Sequence, residues 1–394
     1  MISRSIDIAR ARAETPGTQK VLHFNNAGAA LPPQIVMDVV MAHLAREAEI
    51  GGYEACDEAE ARLEAMYRSI ARLINCAPDE VAFIENATRA WDMAFYSLPL
   101  QPGDRILTAR AEYASNVIAY LQAAKNRGIL LDVVPNDAHG QVCVETLEKM
   151  IDPRVKLIAI THVPSQGGLI NPAAAIGAIA RKNGIAYLLD ACQSIGQLPI
   201  DVEAIGCDML SATGRKFLRG PRGTGFLYVR REWIARLEPV FLDLHAATLT
   251  GERSFSIVPD AKRFENWESY VAGRLGLGAA VDYALAWGLD AIAARALGLA
   301  RLLRETLAEI PGVSIHDLGV EKSAIVTFTL KTHDAQAIKT SLRAQGINVT
   351  TSSANSSRFD LAARGLTTVV RASPHYYNSE EEVARFCAAI RALH

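Results

Sequence analysis

The chain has 394 residues, 50% hydrophobic and 21% charged, with 41 basic against 43 acidic side chains for a formal charge of −2. That composition can bury one large core and a smaller one, and it excludes a disordered or fibrous chain. No run of Lys or Arg is long enough to track a phosphate backbone, so nucleic acid is not an expected partner. The N-terminal stretch from Met1 to Gly17 alternates charge with apolar residues and lacks the apolar core of a signal peptide, and nowhere do about 18 apolar residues run together. No membrane association is expected, and the expected location is cytoplasmic.

Cys56, Cys76, Cys143, Cys192, Cys207 and Cys387 form no CxxC pair and show no zinc-ligand spacing. Mostly buried, unreactive thiols and no metal site are expected.

Through the first two thirds of the chain, strand-like apolar runs alternate with segments of helical period. The runs are Val81–Ile84, Arg105–Thr108, Leu130–Val134, Leu157–Thr161, Ala186–Asp190, Asp208–Ser211 and Gly225–Val229. This alternation predicts an α/β fold with a large, mostly parallel sheet covered by helices, whose ligands sit beyond the carboxyl ends of its strands. From about Ala280 to Ile310, Ala, Leu and Arg recur at helical spacing up to Pro311-Gly312, which predicts one long connecting helix. Beyond it, Ala324–Leu330 and Thr367–Ala372 read as strands, and Ala335–Gln345 and Glu380–Leu393 as helices of a small α+β domain. The expected division is a large domain over 20–280 and a small one over 281–394, joined by an N-terminal arm over 1–19.

Polar residues just after a predicted strand carry the chemistry. Asp190 ends an apolar strand and is followed by Gln193. It reads either as a loop cap or as the partner of a cation such as a protonated pyridine nitrogen. Lys216 follows the run Asp208–Ser211 and stands before a Gly/Pro-rich turn, a setting that desolvates an amine and favours its neutral, nucleophilic form. Thr213 and Arg215 offer a hydroxyl and a guanidinium suited to a phosphate ester. Ala87 and Thr88 open an apparent helix after Val81–Ile84, which is either an ordinary cap or an anion site. Tyr113, after the next strand, can lie over a planar ring.

Together these elements resemble the class V aminotransferase group of fold-type I pyridoxal-phosphate enzymes, a group that includes cysteine desulfurases, isopenicillin N epimerase-like proteins and hercynylcysteine sulfoxide lyases. The resemblance runs from about Phe24 to the C-terminus. It implies pyridoxal 5'-phosphate as cofactor, Lys216 as its Schiff-base lysine, Asp190 against the ring nitrogen and Gln193 near the ring hydroxyl. Ala87, Thr88, Thr213 and Arg215 fall on phosphate-binding positions, and Ser165 and Tyr113 also join the cofactor set. Arg371, in the segment Val370–Asn378, corresponds to the arginine that binds the substrate carboxylate. Asn26, Ala27 and Gly28 resemble the substrate-side loop.

Three departures bear on the reaction. The stretch from Gly346 to Leu366, where desulfurases of this group carry a nucleophilic cysteine, contains none, so a persulfide relay is disfavoured. His162-Val163-Pro164-Ser165 resembles the epimerase and sulfoxide lyase branch. Phe264–Ser269 stands where a neighbouring subunit usually lends a hydroxyl to the phosphate, which implies a homodimer with its active site at the interface. The expected activity is a C–S lyase reaction, a β-elimination on a cysteine-derived amino acid. An epimerase or racemase, an aminotransferase, a carbon–carbon bond-forming enzyme and a non-catalytic cofactor-binding module remain alternatives. The loop Thr350–Arg364, with Arg358, is expected either to meet the substrate side chain or to be plain solvated loop.

Overall fold

The computed structural model describes residues 5–394; the first four residues of the expected N-terminal arm lie outside the described residues. Seven strands form the central sheet in the order Val81–Ile84, Gly225–Val229, Met209–Thr213, Ala186–Asp190, Val155–Thr161, Arg105–Thr108 and Leu130–Val133. Only Gly225–Val229 runs against its neighbours. Alternate residues of these strands point into two separate cores. Ile158, Ile160, Tyr187, Leu189 and Leu210 pack on one face, and Leu157, Ala159, Ala186, Leu188 and Met209 on the other. Burial on both faces explains why the strands read as continuous apolar runs rather than as alternating ones.

Six parallel strands therefore deliver their carboxyl ends to one edge. At that edge Gly225 pairs with both Ile84 and Thr213, and a Cβ there would lie 2.4 Å from the Ala212 carbonyl oxygen and 3.3 Å from the Asn86 backbone. Glycine is what lets the start of the Ala87 helix approach the strand that leads to Lys216.

The expected single connecting helix is two helices, Val271–Trp287 and Leu289–Ala308, bent by 82° at Gly288. Gly288 has φ 88° and serves both as the cap that ends the first helix and as the one that begins the second. The Ala/Leu periodicity runs across that single glycine, which is why composition suggested continuity. The position expected to bound the large domain, 280, falls inside the first of these helices.

A second, four-stranded antiparallel sheet has the order Val313–Ile315, Val326–Leu330, Thr368–Ala372, Thr350–Ser353, and Ala247–Gly251 with Ser254–Ile257 forms a separate antiparallel hairpin. Its core takes Leu299, Leu303, Val326, Phe328, Ile338 and Phe386, together with Leu22 and Phe24 from the start of the chain. Leu22–His23 pairs in parallel with Ile347–Asn348, so residues just beyond the expected 1–19 arm also join this part. Among the six free cysteines only Cys207 and Cys387 are buried. The expectation of mostly buried thiols is corrected: Cys56, Cys76, Cys143 and Cys192 keep partial exposure. No single helix among the described residues is long and apolar enough to cross a membrane.

Candidate active site

Ala87, Thr88, Tyr113, Ser165, Asp190, Gln193, Thr213, Arg215 and Lys216 all line one cavity of about 170 Å³ at the carboxyl edge of the large sheet. Each arrives by a local device. Asn86 caps the helix Ala87–Tyr96 by accepting from Arg89 N–H at 3.0 Å, and no hydrogen bond among the described residues takes the N–H of Ala87 or Thr88. Those two donors and the helix dipole are left for an anion. Tyr113 caps the next helix, Ala114–Arg127, and is 38% exposed beside the cavity.

Asp190 is buried at the end of its strand. Its Oδ1 accepts from Cys192 N–H at 2.9 Å and its Oδ2 from Asn116 Nδ2 at 3.1 Å. Burial raises its pKa, opposed by the Cys192 N–H, the Lys216 amine and Asn116. Gln193 donates from Nε2 to the Ala27 carbonyl and to Ser165 Oγ, each at 3.0 Å, while its Oε1 is buried without a partner. An orphaned acceptor here suits a hydroxyl on a bound ring.

Lys216 is buried and faces the Cys192 thiol, whose pKa is raised by burial against the pull of the lysine. The turn that presents it is tightly held. Arg219 N–H donates to the Lys216 carbonyl at 2.8 Å with Arg219 at φ 65°, a left-handed conformation uncommon outside glycine. The Arg219 guanidinium is buried, donating to the Leu31 carbonyl at 2.9 Å and to the hydroxyls of Thr15 and Tyr376. Gly196, at φ 87°, supports the turn from beneath. A Cβ there would lie 2.3 Å from Leu218 N and 2.4 Å from the Phe217 carbonyl carbon.

The four residues expected on the substrate side do not line this cavity, but they are tied to it. Arg371 donates from Nη1 to the Ser165 carbonyl at 3.0 Å, and its Nε has no partner. Burial first, and the nearby Arg215 second, lower its pKa to about 10. Neither arginine has a carboxylate within 4.0 Å among the described residues. Arg215 donates to the Gly28 carbonyl, and Ala27 receives Gln193. The Asn26 side chain is fully engaged: Nδ2 donates to the Ser373 and His23 carbonyls at 2.7 and 3.2 Å, and Oδ1 accepts from the Tyr377 hydroxyl. It joins the loop to the small sheet and has no donor left for a ligand.

Asn86, Asn116, Thr161 and Cys192 also line the cavity, and sequence reasoning assigned none of them. Glu112 was missed as well; it is buried directly behind Asp190 and contacts Asn116 and Thr161. Its position in the short loop between the strand Arg105–Thr108 and the helix Ala114–Arg127 was the available signal. Asn266–Ser269, part of the segment Phe264–Ser269 expected to serve a neighbouring subunit's phosphate, line a separate surface cavity with Tyr53 and Arg274.

An amine and a carboxylate in one pocket, two free N–H groups at a helix start, a guanidinium without a carboxylate partner and an orphaned amide oxygen together fit pyridoxal phosphate. The fold and pocket define a fold-type I pyridoxal-phosphate enzyme. The family model for aminotransferase class-V matches residues 21–386, and the chain belongs to that family. A probable cysteine desulfurase of Xylella fastidiosa is 33% identical over 405 residues, covering 98% of this chain and 95% of its own. The apo cysteine desulfurase of Thermococcus onnurineus superposes with a TM-score of 0.92 at 25% identity, covering 100% and 99% of the two chains. The cystine C–S lyase C-DES, in complex with cysteine persulfide, shares the fold with a TM-score of 0.85 at 23% identity, covering 96% and 99%.

Proposed function

We propose that the protein is a C–S lyase, catalysing β-elimination on a cysteine-derived amino acid without a persulfide-forming cysteine. The observation that carries this reading is Arg371, a buried guanidinium with no carboxylate partner, standing beside a strand that bears no thiol. Thr350–Ser353 pairs with the Arg371 strand, Thr350 opposite Arg371, and offers only hydroxyls. An α-carboxylate would complete the pairing that Arg371 lacks, and a bidentate grip would orient Cα. The desulfurase names of its relatives favour chemistry at a C–S bond.

In this reading Lys216 anchors the cofactor, and the N–H groups of Ala87 and Thr88, with Thr213 and Arg215, hold its phosphate. With the cofactor bound, Asp190 would keep a proton at the ring nitrogen, Gln193 Oε1 would accept from the ring hydroxyl, and Tyr113 would cover the ring. The cofactor supplies an electron sink for the pair released at Cα. The Lys216 amine, kept from bulk water by its burial, would take the Cα proton of an amino acid held at this site. The β-sulfur group departs with its bonding pair, and hydrolysis of the residue yields pyruvate and ammonia. Cys192, set between Asp190 and Gln193 and facing Lys216, does not belong to the segment Gly346–Leu366 on which a relay cysteine would travel.

The active form is proposed to be a homodimer. Met37, Met41 and Leu44 lie exposed at successive turns of the helix Gln34–Ile50, and Tyr53, Trp267 and Tyr270 are exposed around one surface cavity. An apolar face of this kind favours a second copy of the chain as cover, and light scattering would measure it.

The deciding assay incubates the cofactor-loaded enzyme with cysteine conjugates and their sulfoxides and measures pyruvate and the released sulfur compound. Pyruvate with stoichiometric sulfur product is expected. Solvent deuterium entering Cα with loss of chirality, and no pyruvate, would replace the proposal with racemisation; a keto acid retaining the side chain would replace it with transamination.

A further inference from the structure

Behind Asp190 lies a second buried carboxyl. Glu112 is 2% exposed, and no Lys, Arg or His stands within salt-bridge distance of it among the described residues. Its Oε1 accepts from Tyr113 N–H at 2.7 Å, from Asn116 Nδ2 at 3.0 Å and from the Thr161 hydroxyl. Its Oε2 lies 3.2 Å from Thr161 N–H and 3.0 Å from Thr108 Oγ1. A carboxyl this deep without a cation is costly, and so many neutral donors aimed at it specify one orientation.

Asn116 is the link. Its Nδ2 carries two hydrogens and faces Glu112 Oε1 at 3.0 Å and Asp190 Oδ2 at 3.1 Å, so the amide bridges the two carboxyl groups. Glu112 and Asn116 flank the first turn of the helix Ala114–Arg127, whose dipole favours negative charge at that end. The titratable groups facing Glu112 are Asp190 across the bridge and Tyr120 on the same helix, while the adjoining strands present only the Thr108 and Thr161 hydroxyls.

We propose that Glu112 is a positioning residue: through Asn116 it fixes the Asp190 carboxylate, and its negative charge strengthens the hold of Asp190 on a proton at the cofactor's ring nitrogen. The inference rests on the reading of Asp190 given above. It assigns a purpose to a buried charge that the proposed reaction otherwise leaves idle. Burial, assisted by the charge of Asp190, pushes Glu112 up to about 7. Its charge is therefore present above neutrality and withdrawn below it.

The test titrates apoprotein with pyridoxal phosphate and follows cofactor affinity and the pH dependence of the bound cofactor's visible spectrum. Glu112→Gln and Asn116→Ala are each expected to weaken cofactor binding about tenfold, the range for losing one hydrogen bond to a charged group. Each is expected to move the spectral midpoint to lower pH. The double variant should resemble the singles, because both act through one bridge. Wild-type affinity and spectral titration in Glu112→Gln, or additive effects in the double variant, would overturn the proposal. If Glu112→Gln does not fold, Asn116→Ala decides alone, since it cuts the bridge and leaves the carboxyl in place. Asp190→Ala separates the two levels. A wild-type spectral titration in that variant overturns the Asp190 reading and this proposal with it. A changed Asp190→Ala spectrum beside an unchanged Glu112→Gln spectrum overturns only the role of Glu112.

Discussion

Arg371 reaches from the small sheet to the loop beyond the large-sheet strand Val155–Thr161, donating from Nη1 to the carbonyl of Ser165 at 3.0 Å, while the Ser165 hydroxyl accepts from Gln193 at 3.0 Å. The proposed carboxylate anchor and the proposed cofactor pocket are thus connected through one serine. Arg371→Met should raise KM for the amino acid by about a hundredfold, consistent with loss of a bidentate charged contact. Its Tm should hold or rise, because the substitution removes a buried cation that has no carboxylate partner. Steady-state kinetics and a melting curve on the same sample check both parts.

Lys216→Ala should lower kcat by on the order of a thousandfold, the scale for losing a positioned general base. The visible absorbance of the substrate-free enzyme should change with it, because the amine that anchors the cofactor is gone. Stopped-flow absorbance with and without substrate measures each effect separately.

Gly196→Ala should destabilise the fold by about 2 kcal/mol or more, since φ is 87° and the added methyl would meet the Phe217–Leu218 backbone. Relief of that contact displaces the turn bearing Lys216, so cofactor affinity should fall alongside Tm. Calorimetry and cofactor titration provide the two readings.

The pH dependence of stability carries a signature of Glu112. In the folded protein its pKa of about 7 lies above the ordinary glutamate value of 4.5, so the folded state binds the extra proton between those values and loses relative stability as pH rises through them. Buried His162 and His375, held down to about 4 and about 3, act in the opposite sense as pH falls below 6.5. The Tm difference between wild-type and Glu112→Gln apoprotein isolates the glutamate: wild type should lose ground steadily from about pH 4.5 to about pH 7.

A thiol-free elimination leaves no sulfur on the enzyme. Mass spectrometry of peptides bearing the six cysteines after turnover should find no added sulfur atom. A persulfide at any of them would restore a relay mechanism.

The strands, their order of appearance and the residues at their carboxyl ends were legible in the sequence because burial on both faces leaves an unbroken apolar run and a polar residue ends it. Lys216 and Asp190 stood out for that reason. The kink at Gly288 was not legible, since one glycine barely disturbs a helical period. Nor was the engagement of Asn26, whose partners Ser373 and Tyr377 lie at the far end of the chain.

The primary structure alone determined the layered α/β plan, the amine and carboxylate of the pocket and the absence of a thiol between Gly346 and Leu366. Tertiary structure decided what surrounds them: that Arg371 lacks a carboxylate partner, that Gly196 underlies the lysine turn and that Glu112 stands behind Asp190 through Asn116. Periodicity records which face of an element is buried, because burial is a local demand on each residue. It does not record which buried group meets which, because that depends on how separate strands and helices are brought to one edge of the sheet.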